Sequence, residues 1–339
     1  MKQIVFTGYK KAELIDMPLP ELQENEVMVK TLYSAISTGT ETANLYGDLS
    51  IPGMRDKKPE NPFPRYLGYS ESGIVVEVGK KVTSLKAGDR VMCFWGKHRE
   101  YQVLPEEQVV PVPDNVDLLD AAFVFIGTFP LAAIRKTKVE LGESAMVVGL
   151  GILGQMSVQL LRIAGAVPVI AVNHGEARRN MALKLGADLA FNPADEDYEE
   201  KVKAATDGKG VAAMIEVTGK GSALNQSLRC MAKMGRVALL GCTRRPTEVD
   251  FYYDVHLPGI EMYGAHTFAR PDHESYPGHW THRHDCIALL KLISMGRLHI
   301  HDLISEVHAP QEAPEVYRRM LEEHDFPVGV AFDWSKLSD

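Results

Sequence analysis

The chain has 339 residues, 45% of them hydrophobic and 24% charged, a composition typical of a globular protein that is long enough for two domains. Its formal net charge of −8 and its lack of clustered basic residues exclude a nucleic-acid binder of the usual basic kind, so we expect a small-molecule ligand. We recognise no signal peptide and no apolar run of membrane-spanning length, and the four cysteines are scattered. We therefore expect a cytoplasmic protein with reduced thiols and no membrane partner.

The chain changes its pattern at about residue 120. Before that point, short β-branched and apolar runs alternate with Gly, Pro and Asp turns and predict an all-β region. The clearest runs are 27–32, 72–78, 90–94, 101–104 and 109–112. Beyond it, strands alternate with helices, which predicts a doubly wound parallel sheet. Its strands are predicted at 145–148, 167–172, 211–217, 236–240 and 260–264, followed by a His-rich loop, a helix over 285–295, a last helix and a strand over 328–332.

Residues 144–154 predict a buried strand that turns through a Gly-x-Gly-x-x-Gly loop into a helix. Gly149 allows the tight turn, Gly151 lets the backbone approach phosphates, and Gly154 lets the helix pack against the strand. Ile152 and Leu153 complete the loop. A second strand follows and closes a βαβ unit of the expected length. The segment therefore predicts a dinucleotide site and a redox enzyme.

The second strand of this unit ends at Asn173, where a carboxylate often binds the ribose 2′-hydroxyl of NAD. An amide cannot offer a charged double acceptor. His174, Arg178 and Arg179 can instead receive a 2′-phosphate. The sequence favours NADP, and NAD stays open as the alternative.

Four further motifs lie in order along the chain. They are Thr-Gly-Thr-Glu at 38–41, Leu-Gly-Tyr-Ser-Glu-Ser-Gly at 67–73, Val-Glu-Val-Gly at 76–79 and Ala-Gly-Asp-Arg-Val at 87–91. Together with the glycine loop they resemble the motifs of the medium-chain dehydrogenase/reductase superfamily, which includes the zinc alcohol and sorbitol dehydrogenases. The resemblance implies an α/β protein with a GroES-like β-rich catalytic domain, over 1–126 and 267–339, and a Rossmann cofactor domain over 127–266. It also implies a homodimer or homotetramer.

The resemblance breaks at the metal. The zinc enzymes hold their catalytic zinc with a Cys, a His and a further Cys or Glu, but the matching positions here are Thr38 or the adjacent Ser37, Tyr69 and Phe125. The loop with four cysteines that holds a structural zinc in those enzymes is also absent. We therefore expect a zinc-free branch of the family, with no metal site.

Without zinc, side chains must stabilise or protonate the developing alkoxide. Tyr69, in place of a zinc-binding His, is the first candidate for the acid or oxygen-polarising donor; the alternative is that it only fills the volume of the metal. Thr40 stands where the family keeps a proton-relaying hydroxyl, and Thr38 and Glu41 are candidates in the same motif. His266 is a candidate for substrate binding or proton relay, with a purely structural role as the alternative.

The resemblance also implies cofactor contacts beyond the glycine loop. Val217 and Thr218 match the turn that passes the adenosine, Gly241 and Cys242 match the turn at the carboxamide, and Ala265 matches the strand over the nicotinamide. Four nearby histidines have a spacing that could coordinate a metal, but a solvated loop is favoured because no Cys or carboxylate completes the set. They are His273, His279, His282 and His284.

These features predict an NAD(P)-dependent, zinc-independent dehydrogenase of the alcohol or polyol type. Its substrate is expected to be a secondary alcohol or ketone of a sugar, polyol or glycoside, since hydrogen-bonding side chains suit polyhydroxylated ligands. Two alternatives stay open. One is a zinc-free quinone or enone reductase, and the other is a nucleotide-binding module without catalytic activity.

Overall fold

The computed structural model describes residues 1–51, 54 and 59–338. These residues form two compact units. A β-rich unit comprises Met1–Ile126, Cys286–Gly296 and Ile300–Asp339, and a parallel-sheet unit comprises Gly127–Asp285 and Arg297–His299.

The strands and helices follow the chain in this order. The strands are β1 Lys2–Gly8, β2 Lys11–Asp16, β3 Glu26–Ala35, β4 Ser70–Val78, β5 Arg90–Phe94, β6 Tyr101–Pro105, β7 Val109–Pro111, β8 Ala145–Val148, β9 Val169–Val172, β10 Leu189–Phe191, β11 Val211–Glu216, β12 Met231–Leu239, β13 Glu261–Gly264, β14 Ile304–His308 and β15 Gly329–Asp333. The helices are α1 Thr38–Leu45, α2 Leu118–Ala121, α3 Val124–Thr137, α4 Ile152–Ile163, α5 Glu176–Lys184, α6 Tyr198–Ala204, α7 Gly221–Leu228, α8 His282–Ser294 and α9 Ala313–Glu322.

The β-rich unit is built on a sheet with the strand order β14-β15-β3-β4-β5-β7, in which β6 also pairs with β3. Strand β3 alternates buried and more exposed residues, with Val27 and Val29 fully buried in the core. Strands β3 and β4 are antiparallel, and Ser34 lies opposite Glu71. Because β3 ends where β4 begins, the segments that hold Ser37 and Tyr69 lie side by side.

The parallel-sheet unit has the strand order β10-β9-β8-β11-β12-β13, and every neighbouring pair is parallel. Strands β8 and β9 are continuous buried apolar runs, as expected where helices cover both faces. The chain runs outward from β8 to β10 on one side and from β11 to β13 on the other. The point between β8 and β11 is therefore the switch point of the sheet, where ligands of such folds bind.

The predicted combination of a β-rich domain and a doubly wound parallel sheet is confirmed. The all-β prediction for the N-terminal region is wrong at Thr38–Leu45, which forms helix α1. Its threonines are β-branched and do not favour a helix, but Glu41 in its first turn is favourable next to a helix N-terminus. This helix carries three of the candidate catalytic residues.

The two units also divide the C-terminal part differently from the predicted boundary after residue 266. Residues up to 285 pack with the parallel-sheet unit because Asp285 is held there by two arginines. Its carboxylate accepts hydrogen bonds from Arg135 at 2.9 Å and from Arg270 at 3.0 Å. Arg270 also donates to the carbonyl of Thr128 at 3.0 Å.

Within the described ranges, no helix is both long enough and apolar enough to cross a membrane.

Candidate active site

The glycine loop follows β8 at the switch point of the parallel sheet. Gly149 has a φ of 97°, which favours glycine, and a side-chain carbon added at Gly154 would lie 1.9 Å from the carbonyl oxygen of Gly149. Both positions therefore need glycine for the fold. Gly151 differs, because a carbon added there would meet no protein atom within 4 Å. The loop thus has an open face at the N-terminus of α4, where unpaired backbone N–H groups attract an anion.

Two further turns pack against the glycine loop with almost no side chains between them. A side-chain carbon added at Gly149 would lie 2.8 Å from Thr218 Cγ2. One added at Gly219 would lie 2.8 Å from the carbonyl oxygen of Cys242, and one added at Gly241 would lie 2.2 Å from the nitrogen of Gly219. The turns follow β8, β11 and β12 at one edge of the sheet. The structure therefore brings together the predicted cofactor residues of these turns: Gly149, Gly151, Val217, Thr218, Gly241 and Cys242. We call this assembly the cofactor cradle.

One buried carboxylate holds the second turn of the cradle. Glu216, at the end of β11, accepts hydrogen bonds from the Thr218 N–H at 2.8 Å, from the Thr218 hydroxyl and from the Gly219 N–H at 3.1 Å. Its own carbonyl accepts from the N–H groups of Leu240 at 2.9 Å and Gly241 at 2.8 Å. Burial raises the pKa of Glu216. The sequence analysis did not name Glu216, although an acidic residue at the end of a buried strand is a usable signal.

The end of β9 is tied to the glycine loop by neutral groups. The side-chain oxygen of Asn173 accepts from the Leu150 N–H at 3.3 Å. Arg179 donates to the carbonyls of Asn173 at 2.8 Å and His174 at 2.5 Å. Arg178 lies on α5, and its carbonyl accepts from Gln155 at 2.8 Å. The guanidinium of Arg179 thus shapes the backbone of this turn.

Ala265 and His266 follow β13 at the same edge of the sheet. Ala265 is buried, and its N–H donates to the carbonyl of Leu239 at 3.1 Å. His266 is exposed, and its Nδ1 accepts from the N–H of Phe268 at 3.2 Å. Partial burial lowers the pKa of His266, which favours the neutral ring at pH 7. The free proton of that ring is then on Nε2, so His266 offers one N–H donor.

A second candidate site lies in the β-rich unit. Tyr69 is buried, and its hydroxyl donates a hydrogen bond to Ser37 Oγ. Its ring packs edge-on against Phe125, with centroids 5.7 Å apart, and against Trp95 at 5.9 Å. Phe125 also stacks on Phe94 at 5.2 Å. A hydroxyl pair in an aromatic wall therefore occupies the positions that the sequence resemblance matches to zinc ligands.

Trp95 was not among the predicted site residues. Its φ of 61° lies in the left-handed region, which is unfavourable for a bulky side chain. Contacts with Phe125, at 4.9 Å between centroids, and with Tyr69 hold it there. Backbone strain of this kind clusters at functional sites, and no sequence pattern predicts it.

Glu41 lies on α1 but is completely buried. Its Oε1 accepts from the Ser37 N–H at 2.7 Å and lies 3.3 Å from His98 Nε2, and its Oε2 accepts from the Tyr317 hydroxyl at 2.6 Å. Thr38 and Thr40 lie on the same helix and are half-buried. The structure thus brings Tyr69, Ser37 and Glu41 together through direct contacts.

The zinc-ligand positions do not fit a metal. Phe125 has no donor atom, and the Tyr69 hydroxyl is bonded to Ser37. Across the part of the chain that the structure describes, no three His, Cys, Asp or Glu residues are placed to hold a metal ion. In the His-rich segment, His284 Nδ1 pairs with Ser275 Oγ at 2.6 Å, and burial lowers the pKa of His282 to about 3.

Comparisons with known proteins agree with this geometry. Residues 23–114 match the alcohol dehydrogenase GroES-like domain and residues 153–281 match the zinc-binding dehydrogenase family. L-threonine 3-dehydrogenase of Bacillus velezensis is 30% identical over 286 residues, which cover 75% of this chain and 79% of that protein. The chain belongs to the medium-chain dehydrogenase/reductase superfamily. The predicted family and the predicted class, an alcohol dehydrogenase-like oxidoreductase, are confirmed.

Two other proteins match almost the whole chain. D-guloside 3-dehydrogenase of Escherichia coli K12 is 26% identical over 353 residues, which cover 98% of this chain and 100% of that protein. The crystal structure of galactitol-1-phosphate dehydrogenase from Escherichia coli superposes with a TM-score of 0.84 at 18% identity, covering 98% of this chain and 100% of that one. At that identity, the second match supports the fold only.

Proposed function

We propose that this superfamily member is an NAD(P)-dependent dehydrogenase that acts without zinc on a secondary alcohol or ketone of a sugar, polyol or glycoside. The observation that carries the proposal is the Tyr69–Ser37 hydroxyl pair, set in an aromatic wall at the positions that the resemblance matches to zinc ligands. A bound nicotinamide supplies the hydride acceptor or donor. The protein's own groups must then bind and orient the substrate and move its hydroxyl proton.

The cofactor cradle supports a dinucleotide. The open face above Gly151 leaves room for a pyrophosphate at the N-terminus of α4, and the packed turns fix that space before the ligand arrives. We propose NADP over NAD because Asn173 carries no charge, while His174 and Arg178 provide basic groups at the same strand end. Titration of protein fluorescence with NADPH and NADH tests this choice. Tighter binding of NADH contradicts the choice of NADP. If neither cofactor binds, the result contradicts the proposed dehydrogenase.

Tyr69 is the proposed acid in carbonyl reduction and the proposed proton acceptor in alcohol oxidation. Thr38, Thr40 and His266 are proposed to contact substrate, His266 through its Nε2–H. Trp95 adds a flat apolar surface beside the Tyr69 ring, and an aromatic face next to a few hydroxyls suits a polyhydroxylated ring. The D-guloside enzyme, which matches nearly the full chain, supports that substrate class.

A substrate panel tests the function. Purified protein is given NADP⁺ or NAD⁺ with methyl glycosides, galactitol, 2,3-butanediol and L-threonine, and NADPH or NADH with keto sugars, quinones and enones. We expect cofactor turnover with glycosides or polyols and a loss of about 100-fold in Y69F, the usual size of general acid–base catalysis. Turnover of quinones or enones alone indicates an enone reductase. Cofactor binding without any turnover indicates an inactive module.

The proposed absence of zinc is tested separately by elemental analysis of the purified protein. We expect less than about 0.1 zinc ion per chain, because the positions matched to zinc ligands carry Thr, Tyr and Phe. Stoichiometric zinc that is removed by a chelator together with the activity contradicts a zinc-independent reaction.

We also propose a cytoplasmic homodimer. Strand β13 lies at the edge of the parallel sheet, and three exposed aromatic residues, Phe251, Tyr252 and Tyr253, precede it. Exposed strand edges beside apolar patches are sites of association. Light scattering on a size-exclusion column tests this proposal, and a monomer at micromolar concentration contradicts it. The four cysteines are free thiols, which suits a reducing compartment.

A further inference from the structure

The serine that precedes α1 does not cap its helix. Ser37 is the N-cap residue, and a serine there usually accepts a hydrogen bond from an N–H of the first turn. Ser37 makes no such bond. Its Oγ instead accepts from the hydroxyl of Tyr69. The loss of the cap is unfavourable for the helix, so the hydroxyl is held away from its ordinary partner.

Glu41 explains how that orientation is held. Its carboxylate reaches back and accepts the Ser37 N–H at 2.7 Å, while its own N–H donates to the Ser37 carbonyl at 2.9 Å. The backbone of Ser37 is therefore fixed on both sides by one residue. Its hydroxyl remains available to Tyr69.

Glu41 is itself held by groups from distant parts of the chain. The Tyr317 hydroxyl donates to its Oε2 at 2.6 Å, and His98 Nε2 lies 3.3 Å from its Oε1. His98 Nδ1 lies 2.8 Å from Ser34 Oγ, which accepts from Trp334 Nε1 at 2.9 Å. A buried carboxylate with donors on both oxygens is fixed in place and does not reach substrate.

We propose that Ser37 is a proton-relay residue and that Glu41 is the positioning residue that aims it at Tyr69. This inference rests on the proposed dehydrogenase activity and assigns two roles within it. In oxidation, the hydride leaves the substrate carbon for the nicotinamide, and the substrate hydroxyl proton passes to Tyr69 Oη. The phenolic proton of Tyr69 passes to Ser37 Oγ, and the Ser37 proton passes to a water molecule. Reduction runs the same transfers backwards.

The relay addresses a weakness of tyrosine as a base. A neutral phenol with an ordinary pKa of ~10 accepts a proton poorly at pH 7 unless it gives up its own at the same time. Ser37 is the group bonded to that phenolic proton. The family position for a relaying hydroxyl is Thr40, so the two residues are competing candidates.

A first experiment tests the pair without any substrate. Protein labelled with ¹³Cζ-tyrosine is compared as wild type, Y69F, S37A, E41Q and T40A, with Y69F assigning the Tyr69 resonance. We expect S37A and E41Q to shift the Tyr69 resonance and T40A to leave it within the line width. An unshifted resonance in S37A overturns the proposal. A shift in T40A as large as in S37A also overturns it.

A second experiment measures the relay with the alcohol that the panel shows to be turned over fastest. We expect S37A to lower kcat at least tenfold with KM within about twofold, E41Q to lower it less, and T40A least, since relays contribute to the transition state. The NADPH affinity of all three variants should match that of the wild type. A larger loss in T40A than in S37A overturns the proposal. If nothing in the panel is turned over, the proposed function fails, and the resonances still decide the Tyr69–Ser37 pairing.

Discussion

The candidate sites of the two units are built from different kinds of group. The cofactor cradle is made of backbone turns at neighbouring strand ends, and glycines make its contacts possible. The network around Glu41 is made of side chains that lie far apart in sequence, since Tyr317 lies 276 positions after Glu41 and Trp334 lies 300 positions after Ser34. The first kind of site leaves a local motif in the sequence. The second arises only when the chain has folded.

The difference predicts opposite sensitivities. In the cradle, adding atoms should do the damage, because the turns already touch. In the network, removing atoms should do the damage, because each buried polar group depends on its partner.

The largest effect is expected at Gly154. In G154A the new methyl group would overlap the carbonyl of Gly149, so we expect a destabilisation of about 3 kcal/mol, the upper range for overpacking. Unfolding in urea measures it. G151A is the matched variant, because nothing in the protein opposes its methyl group. It should keep the wild-type stability and weaken NADPH binding at least tenfold, by blocking the pyrophosphate. Unchanged binding in G151A means that the ligand does not approach this loop.

A second prediction concerns the network. In E41A, the Ser37 N–H, the Tyr317 hydroxyl and His98 lose a shared acceptor inside the protein, so we expect a loss of about 3 kcal/mol in the free energy of unfolding. Y317F removes one donor and keeps the carboxylate, which should cost about 1 kcal/mol. Chemical unfolding compares the two variants. Equal losses would show that the tyrosine bond, and not the shared carboxylate, holds the network.

The same contrast explains what the sequence could reveal. The fold and the cradle were predictable because Gly149, Gly151 and Gly154 combine backbone demands with a fixed spacing. Glu41 could be named as a candidate from its motif, but its partner Tyr317 decides that it is buried. Trp95 was missed because its position depends on a strained backbone and on contacts with Phe125 and Tyr69. Helix α1 was missed because β-strand patterns on both sides of it dominate that region.

A third prediction uses the His-rich segment, which gives the parallel-sheet unit its own side-chain network. Burial lowers the pKa of His282 to about 3, against about 6.5 in an unfolded chain. The unfolded state therefore binds a proton below pH 6.5 that the folded state refuses, so stability falls as the pH drops from about 6.5 towards 3. At pH 5 the loss is about 2 kcal/mol. Unfolding at pH 7 and pH 5 measures it.

H282Q is the matched variant for this pH dependence. It should lose less stability than the wild type between pH 7 and pH 5, because glutamine does not titrate. Burial raises the pKa of Asp285, which contributes in the opposite direction but is present in both proteins. Parallel pH profiles for the two proteins would assign the effect to other groups.

The smallest expected change in NADPH affinity tests whether the cradle depends on its backbone alone. The buried carboxylate of Glu216 ties the second turn of the cradle. In E216Q, one carboxylate oxygen becomes an NH₂ group that faces N–H donors, so the bond to Thr218 or to Gly219 is lost. We expect NADPH affinity to fall about tenfold, which corresponds to about 1.4 kcal/mol. Isothermal titration calorimetry at a temperature where both proteins are folded measures it. Wild-type affinity would mean that the close packing of Gly219 and Gly241 positions the turns without the carboxylate. The cofactor cradle would then depend on its backbone alone, whereas the network around Glu41 depends on side chains.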